Sequence, residues 1–183
     1  LKAGDQLTHQ IHPYPAKLLP HIIYFFLKAH SNLKHKIVLD PFCGSGTVAL
    51  EASIQGFLPL VADANPFAWL LAKVKTTPYS VKKLTETAEN ILIKAKKYRT
   101  APPIDVVNQH LWYSPEHKKK LEIILRAINE IEVTDEKDFF KICFSSLAKK
   151  ISYADPAISV PVRLKTKESF SDATNDRIRK RLD

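Results

Sequence analysis

Gly44 and Gly46, two of only four glycines in 183 residues, stand two positions apart between an apolar run and a helical pattern. Glycine lets a backbone turn with positive φ and lets a ligand come close to it. Before the pair, Ile37-Val38-Leu39 reads as a short buried strand ending at Asp40. After it, Gly46 to Gln55 has helical spacing through Val48, Ala49, Ala52 and Ser53, with Gly56 placed to close the helix in a left-handed conformation. Leu58 to Ala62 is a second buried strand, again followed by an acid, Asp63. Asn65 then caps a helix to Lys75 with Pro66 at its first position. Strand, helix, strand, helix predicts a parallel α/β sheet.

Around this unit the pattern is mainly helical. Pro13, Pro15 and Pro20 exclude a long early helix, and one from Pro20 to Ala29 is expected instead. Ser80 can cap a helix with Leu84, Ala88, Ile91, Leu92 and Ala95 on one face. A third strand is expected at Ile104 to Val107. Ser114-Pro115-Glu116 opens a helix with an apolar stripe of Leu121, Ile124, Leu125, Ile128 and Ile131. Thr134 or Asp135 caps the next, to about Ser152. The expected organisation is an α/β part over 1–110, a helical segment over 111–165 and a charged tail over 166–183.

The composition, 45% hydrophobic, 26% charged and 9% aromatic, is that of a globular chain and excludes a disordered, collagenous or disulfide-stapled one. No apolar run approaches the ~18 residues of a membrane span, and no signal-peptide pattern is present. A cytoplasmic location with no membrane partner is the expectation. Cys43 and Cys143 lie a hundred positions apart, which suits two free thiols. A net charge of +9 suits a polyanionic partner as well as it suits plain solubility. The basic clusters Lys94 to Arg99, His117 to Lys120 and Arg177 to Arg181 read as solvated helix faces. His9 and His12 have a His-x-x-His spacing without further ligands nearby, so no metal site is expected.

The chemistry of the turn narrows its ligand. No Lys follows Gly46, and an acid precedes the glycines, which disfavours a phosphate and favours a cationic, amino-bearing ligand. Asp63, at the end of the next strand, stands where a ribose hydroxyl pair is held in such sheets. A ligand with an ammonium and a ribose but no phosphate fits S-adenosylmethionine. A Gly-Ser-Gly turn alone is often only a tight turn; the two flanking acids, together with the upstream Pro13-Tyr14-Pro15-Ala16 segment, favour the ligand reading.

The stretch Asp40-Pro41-Phe42-Cys43-Gly44-Ser45-Gly46-Thr47 resembles, at every position, the cofactor loop of the DNA amino-methyltransferases. His12-Pro13-Tyr14-Pro15-Ala16-Lys17-Leu18 resembles that family's segment over the methionine moiety, and Asp63-Ala64-Asn65-Pro66 its acidic loop. Trp112 to Pro115 and Ser145 to Val162, including Ala154-Asp155-Pro156, resemble a helical stretch of one branch. The resemblance implies a Rossmann-like class I methyltransferase sheet, incomplete in this chain, with added helices. It implies S-adenosylmethionine as cofactor, DNA as partner and restriction–modification as context. Tyr14, Pro15, Ala16 and Lys17 would cover the methionine side, Asp40 the ammonium end, and Asp63, with Ala64 and Asn65, the ribose. Cys43 would be a turn residue and not a nucleophile.

The same resemblance calls for a second motif, Asp/Asn/Ser-Pro-Pro followed by an aromatic residue. Its acceptors take the hydrogens of the exocyclic amino group, and its aromatic ring stacks on the flipped base. Ala101-Pro102-Pro103-Ile104 lacks the acceptor and the ring, and Thr77-Pro78-Tyr79 lacks the second proline, as does Tyr153-Ala154-Asp155-Pro156. No catalytic residue is nominated. A further C-terminal region or a second chain is expected to complete the sheet and supply the motif. The alternatives are an RNA or tRNA amino-methyltransferase, or a non-catalytic cofactor- or DNA-binding subunit.

Overall fold

The computed structural model describes residues 7–15, 17–155 and 162–163. The order of elements is a 3₁₀ turn (Leu7–Gln10), α1 (Pro20–Ala29), β1 (Ile37–Asp40), α2 (Thr47–Ile54), β2 (Leu58–Val61), α3 (Pro66–Thr76), α4 (Val81–Lys97), α5 (Gln109–Trp112), α6 (Pro115–Asn129) and α7 (Thr134–Ile151). The chain divides into two compact units, one of Leu1–Thr87 with Ile131–Cys143, the other of Ala88–Glu130 with Phe144–Asp183.

The first unit is built on the parallel pair β1–β2, in register Ile37↔Leu58 to Asp40↔Val61. α2 is the crossover between them, packed against α1 and α3. Local signals set its limits. Gly46 precedes it at φ 73°, and Gly56 follows it at φ 76°. At Gly46 an added Cβ would lie 2.6 Å from Ala72 Cα, so only glycine lets the turn sit against α3. Asn65 Oδ1 accepts from Phe67 N at 3.0 Å and Pro66 takes the first position, so α3 starts where its cap predicts.

Two apolar clusters hold this unit. Leu27, Ala52 and Phe57 join α1, α2 and the lead into β2, with Ile23 and Val38 against them. Leu71, Val74 and Ile142 join α3 to α7, with Tyr14, Phe67 and Phe139 packed around them. Lys73 of α3 reaches Asp138 at 2.8 Å and Asp135 at 3.1 Å on α7.

β1 and β2 were expected to be buried strands, and here the structure differs. Ile37, Leu39, Leu58 and Leu60 project to one side of the pair and are 56%, 71%, 58% and 48% exposed. α2 covers only the opposite face, where Val38 and Val61 lie partly buried.

In the second unit α6 is capped by Ser114, whose Oγ accepts from His117 N at 3.1 Å, and it buries Leu121, Ala127 and Ile128. Tyr98 donates to Glu130 while Arg126 stacks 3.9 Å over its ring. α4 buries Ile91, whereas Leu92, expected on the same face, is exposed. The strand expected at Ile104 to Val107 does not form. Ile104 N donates to Glu122 Oε1 at 3.1 Å instead of to a neighbouring strand, Val107 is exposed, and Asn108 turns left-handed at φ 53°. Ala154 makes an antiparallel bridge to Arg163.

Candidate functional site

The carboxyl ends of β1 and β2 bring the predicted residues Asp40 to Thr47 and Asp63 to Asn65 together. Asp40 Oδ1 accepts from Phe42 N at 3.1 Å, which starts the turn. Cys43 N donates to Ala62 O at 2.9 Å, and Gly46 N returns to Cys43 O at 2.7 Å, so the turn stays attached to the end of β2 before it enters α2. Gly44, at φ 47°, holds the middle.

Asp63 ties the two strand ends together. Its Oδ2 accepts from Gly44 N and its Oδ1 from Asn65 N, each at 2.8 Å. Those backbone bonds, Asn65 first and Gly44 second, hold its carboxyl below the usual aspartate range. Both oxygens keep a second lone pair for a ligand hydroxyl.

The other positions sort by exposure. Pro41, Ala64 and Asn65 are exposed, and the Phe42 ring is 86% exposed at the mouth of the turn. Ser45 and Thr47 are buried and face each other, Oγ to Oγ1 at 3.2 Å, so their hydroxyls serve the turn. Cys43 is buried, and burial followed by the Asp63 and Asp40 charges pushes its thiol up. A thiol so held stays protonated and inert, in keeping with a turn residue.

The upstream segment comes to the same place. The Tyr14 ring lies 3.5 Å from where a Cβ on Gly44 would stand, directly over the turn. Pro15 is exposed, and Lys17 Nζ donates to His9 O at 3.3 Å, folding the segment back on itself. Ala16 lies outside the described residues, as do Pro156 and the Arg177 to Arg181 cluster. His9 and His12 face different partners. His9 Nε2 meets Glu51 Oε1 at 2.8 Å, and the His12 ring packs edge-on against Phe67 at 4.9 Å. Among the described residues no group of three His, Cys, Asp or Glu is placed to hold a metal.

Sequence reasoning missed the His9–Glu51 pair. Its one visible signal was an acid in the otherwise apolar stretch Val48 to Ala52. Ala72 was missed too, since a small residue on α3 stands out only once Gly46 is seen to rest on it.

The donor set suits a cation with hydroxyls. Two carboxylates, Asp40 and Asp63, flank a glycine turn that carries no Lys or Arg, and an aromatic ring covers it. The described residues of the site offer positioning and charge, and they present no acid–base pair or nucleophile aimed at a reacting atom.

Comparison with known proteins finds methyltransferases. The chain is 30% identical over 158 residues to the type II methyltransferase M.MvaI of Kocuria varians, covering 80% of this chain and 35% of the relative. It is 38% identical over 97 residues to the type II methyltransferase M.MjaII of Methanocaldococcus jannaschii, covering 53% of this chain and 18% of the relative. The chain thus spans about a third of the first and under a fifth of the second. No solved structure matches it. Residues 10–102, the stretch that holds Tyr14, the glycine turn and Asp63, match one family throughout, and by that match the chain belongs to the RMKL-like methyltransferase domains.

Proposed function

We propose that this chain is the cofactor-binding part of an S-adenosylmethionine-dependent DNA methyltransferase of a restriction–modification system, acting in the cytoplasm on an exocyclic amino group of adenine or cytosine. The observation that carries the reading is the Asp63–Gly44 bond, which sets an acid beside a glycine turn at the ends of two parallel strands. That is the crevice where open α/β sheets bind ligands. The names of the two type II methyltransferase relatives support DNA as substrate.

In this reading Tyr14, Pro15, Ala16 and Lys17 cover the methionine side, and the Asp40 charge faces the ammonium end. Gly44 and Gly46 admit the ligand, and Asp63, flanked by Ala64 and Asn65, accepts from the ribose. The bound cofactor supplies an electrophilic methyl group; the protein's part is to hold it in line with the attacking nitrogen. The uncovered apolar side of β1–β2 supports a Rossmann-like layer that further polypeptide covers, and the same polypeptide would bring the missing Pro-Pro-aromatic motif.

The test uses the full-length protein with methyl-labelled S-adenosylmethionine, offered duplex DNA and tRNA in parallel. Label in DNA, recovered as N6-methyladenine or N4-methylcytosine, is the expected result. Label in tRNA alone would overturn the DNA assignment, and failure to bind the cofactor would overturn the whole reading.

A further inference from the structure

We propose that the buried His9–Glu51 pair is the positioning device of the cofactor site, setting Tyr14 over the glycine turn. This rests on the reading that Tyr14 and the turn hold S-adenosylmethionine. His9 is 2% exposed and sits on the 3₁₀ turn Leu7–Gln10; its Nε2 meets Glu51 Oε1 at 2.8 Å. Glu51 lies one helical turn beyond Thr47, so the bond reaches the start of the helix that the glycine turn opens into.

Two more bonds fix the same 3₁₀ turn. Thr8 Oγ1 donates to Lys75 O on α3 at 2.9 Å, and Lys17 Nζ returns to His9 O at 3.3 Å. His9 and Lys17 are therefore tied to each other and, through His9 and Thr8, to α2 and α3, and Tyr14, between them in sequence, lies against Gly44. With His12 against Phe67, the loop is held from both sides.

The chemistry of the pair favours placement over bulk stability. A carboxylate buried with a histidine is desolvated at a cost, and an apolar pair of the same volume would pack at least as stably. The apolar pair would leave the register of the 3₁₀ turn on α2 free to slide, whereas a hydrogen bond of fixed direction does not. His9 Nδ1 is buried with no hydrogen-bond partner among the described residues, an arrangement that suits a neutral ring whose Nε2–H donates to Glu51. Glu51 faces it from α2, Lys17 from the returning segment and Lys75 from α3.

The experiment compares the full-length wild type with His9→Ala, His9→Gln, Glu51→Ala and the double alanine variant. It measures S-adenosylmethionine affinity by calorimetry, duplex DNA affinity without cofactor, and thermal unfolding. Glutamine puts an N–H donor where Nε2 stands. Each single alanine variant should lose cofactor affinity about tenfold, the scale of a hydrogen bond to a charged group. DNA affinity should hold, the double variant should be no worse than either single, and His9→Gln should recover to within about threefold. Wild-type cofactor affinity in His9→Ala would overturn the inference, as would equal loss of cofactor and DNA binding in both His9→Ala and His9→Gln. Absence of cofactor binding by the wild type would instead overturn the proposed function, and this inference with it.

Discussion

The Asp63 carboxylate accepts the Gly44 N–H at 2.8 Å across nineteen positions of sequence, so the acid after β2 shapes the turn after β1 before any ligand arrives. Its other oxygen is committed to Asn65 N. Asparagine at 63 can accept with only one atom and would set an NH₂ group against the second backbone N–H. We expect Asp63→Asn to lower S-adenosylmethionine affinity at least tenfold, nearly as much as Asp63→Ala, as read by calorimetry. The sign with pH follows from the lowered carboxyl: its stabilisation is complete above the unfolded value of about 3.9 and is lost as the pH falls through the lower folded value.

Asp40 separates turn geometry from ligand contact. Among the described residues only its Oδ1 is engaged, by Phe42 N at 3.1 Å, and the amide oxygen of asparagine can accept that bond equally well. Asp40→Asn should therefore keep the thermal midpoint of the wild type while losing cofactor affinity about tenfold or more, because the charge alone is gone. Wild-type affinity in that variant would remove Asp40 from the ligand's ammonium end.

The elements legible in the sequence were those with local punctuation. Pro20, Asn65-Pro66 and Ser114-Pro115 each mark a helix start that the structure reproduces, because caps and proline act within one turn of chain. The segment Ile104 to Val107 misled because a strand exists only with a partner, and Glu122 takes its N–H instead. Leu92 misled by a single step of helix phase. In the candidate site the turn itself was readable, while the Tyr14–Gly44 approach, the Ala72 contact and the His9–Glu51 bond join residues 26 or more positions apart, beyond the reach of any local pattern.

Gly46 and Gly56 offer a matched pair of substitutions. Both are left-handed, at φ 73° and 76°, but an alanine Cβ at 46 would lie 2.6 Å from Ala72 Cα, and one at 56 would meet nothing within 4 Å. Gly56→Ala should cost only the conformational penalty of about 1 kcal/mol. Gly46→Ala should cost about 3 kcal/mol or more, since the backbone of α3 must shift as well. Chemical denaturation of the two variants checks the order, and equal costs would mean that the turn does not rest on α3.

His9 makes the fold sensitive to acid. Burial lowers its pKa most, the bond to Glu51 opposes that, and the Lys17 and Lys75 charges lower it further, for a net decrease. The unfolded chain takes up the proton near pH 6.5 and the folded chain only at lower pH, so acidification favours unfolding. The contribution is complete above about pH 6.5 and is lost as the pH falls from there through the folded value. The thermal midpoint of the wild type should drop more steeply with acidification in that window than that of His9→Gln, which has nothing to titrate there. Parallel curves would show that His9 does not titrate against burial.

Register places Ile37 beside Leu58 and Leu39 beside Leu60, so four apolar side chains form one continuous open patch. Such a face on a parallel pair is ordinarily covered by helices. If further polypeptide covers it in the full-length protein, Leu39→Lys buries an unpaired charge there and should lower stability by about 3 kcal/mol or more. In the 183-residue chain alone the same substitution breaks an exposed patch and should reduce self-association in light scattering. A solubility gain in the short chain with no stability loss in the long one would mean that nothing packs on this face, and the proposed cover by further polypeptide would fall.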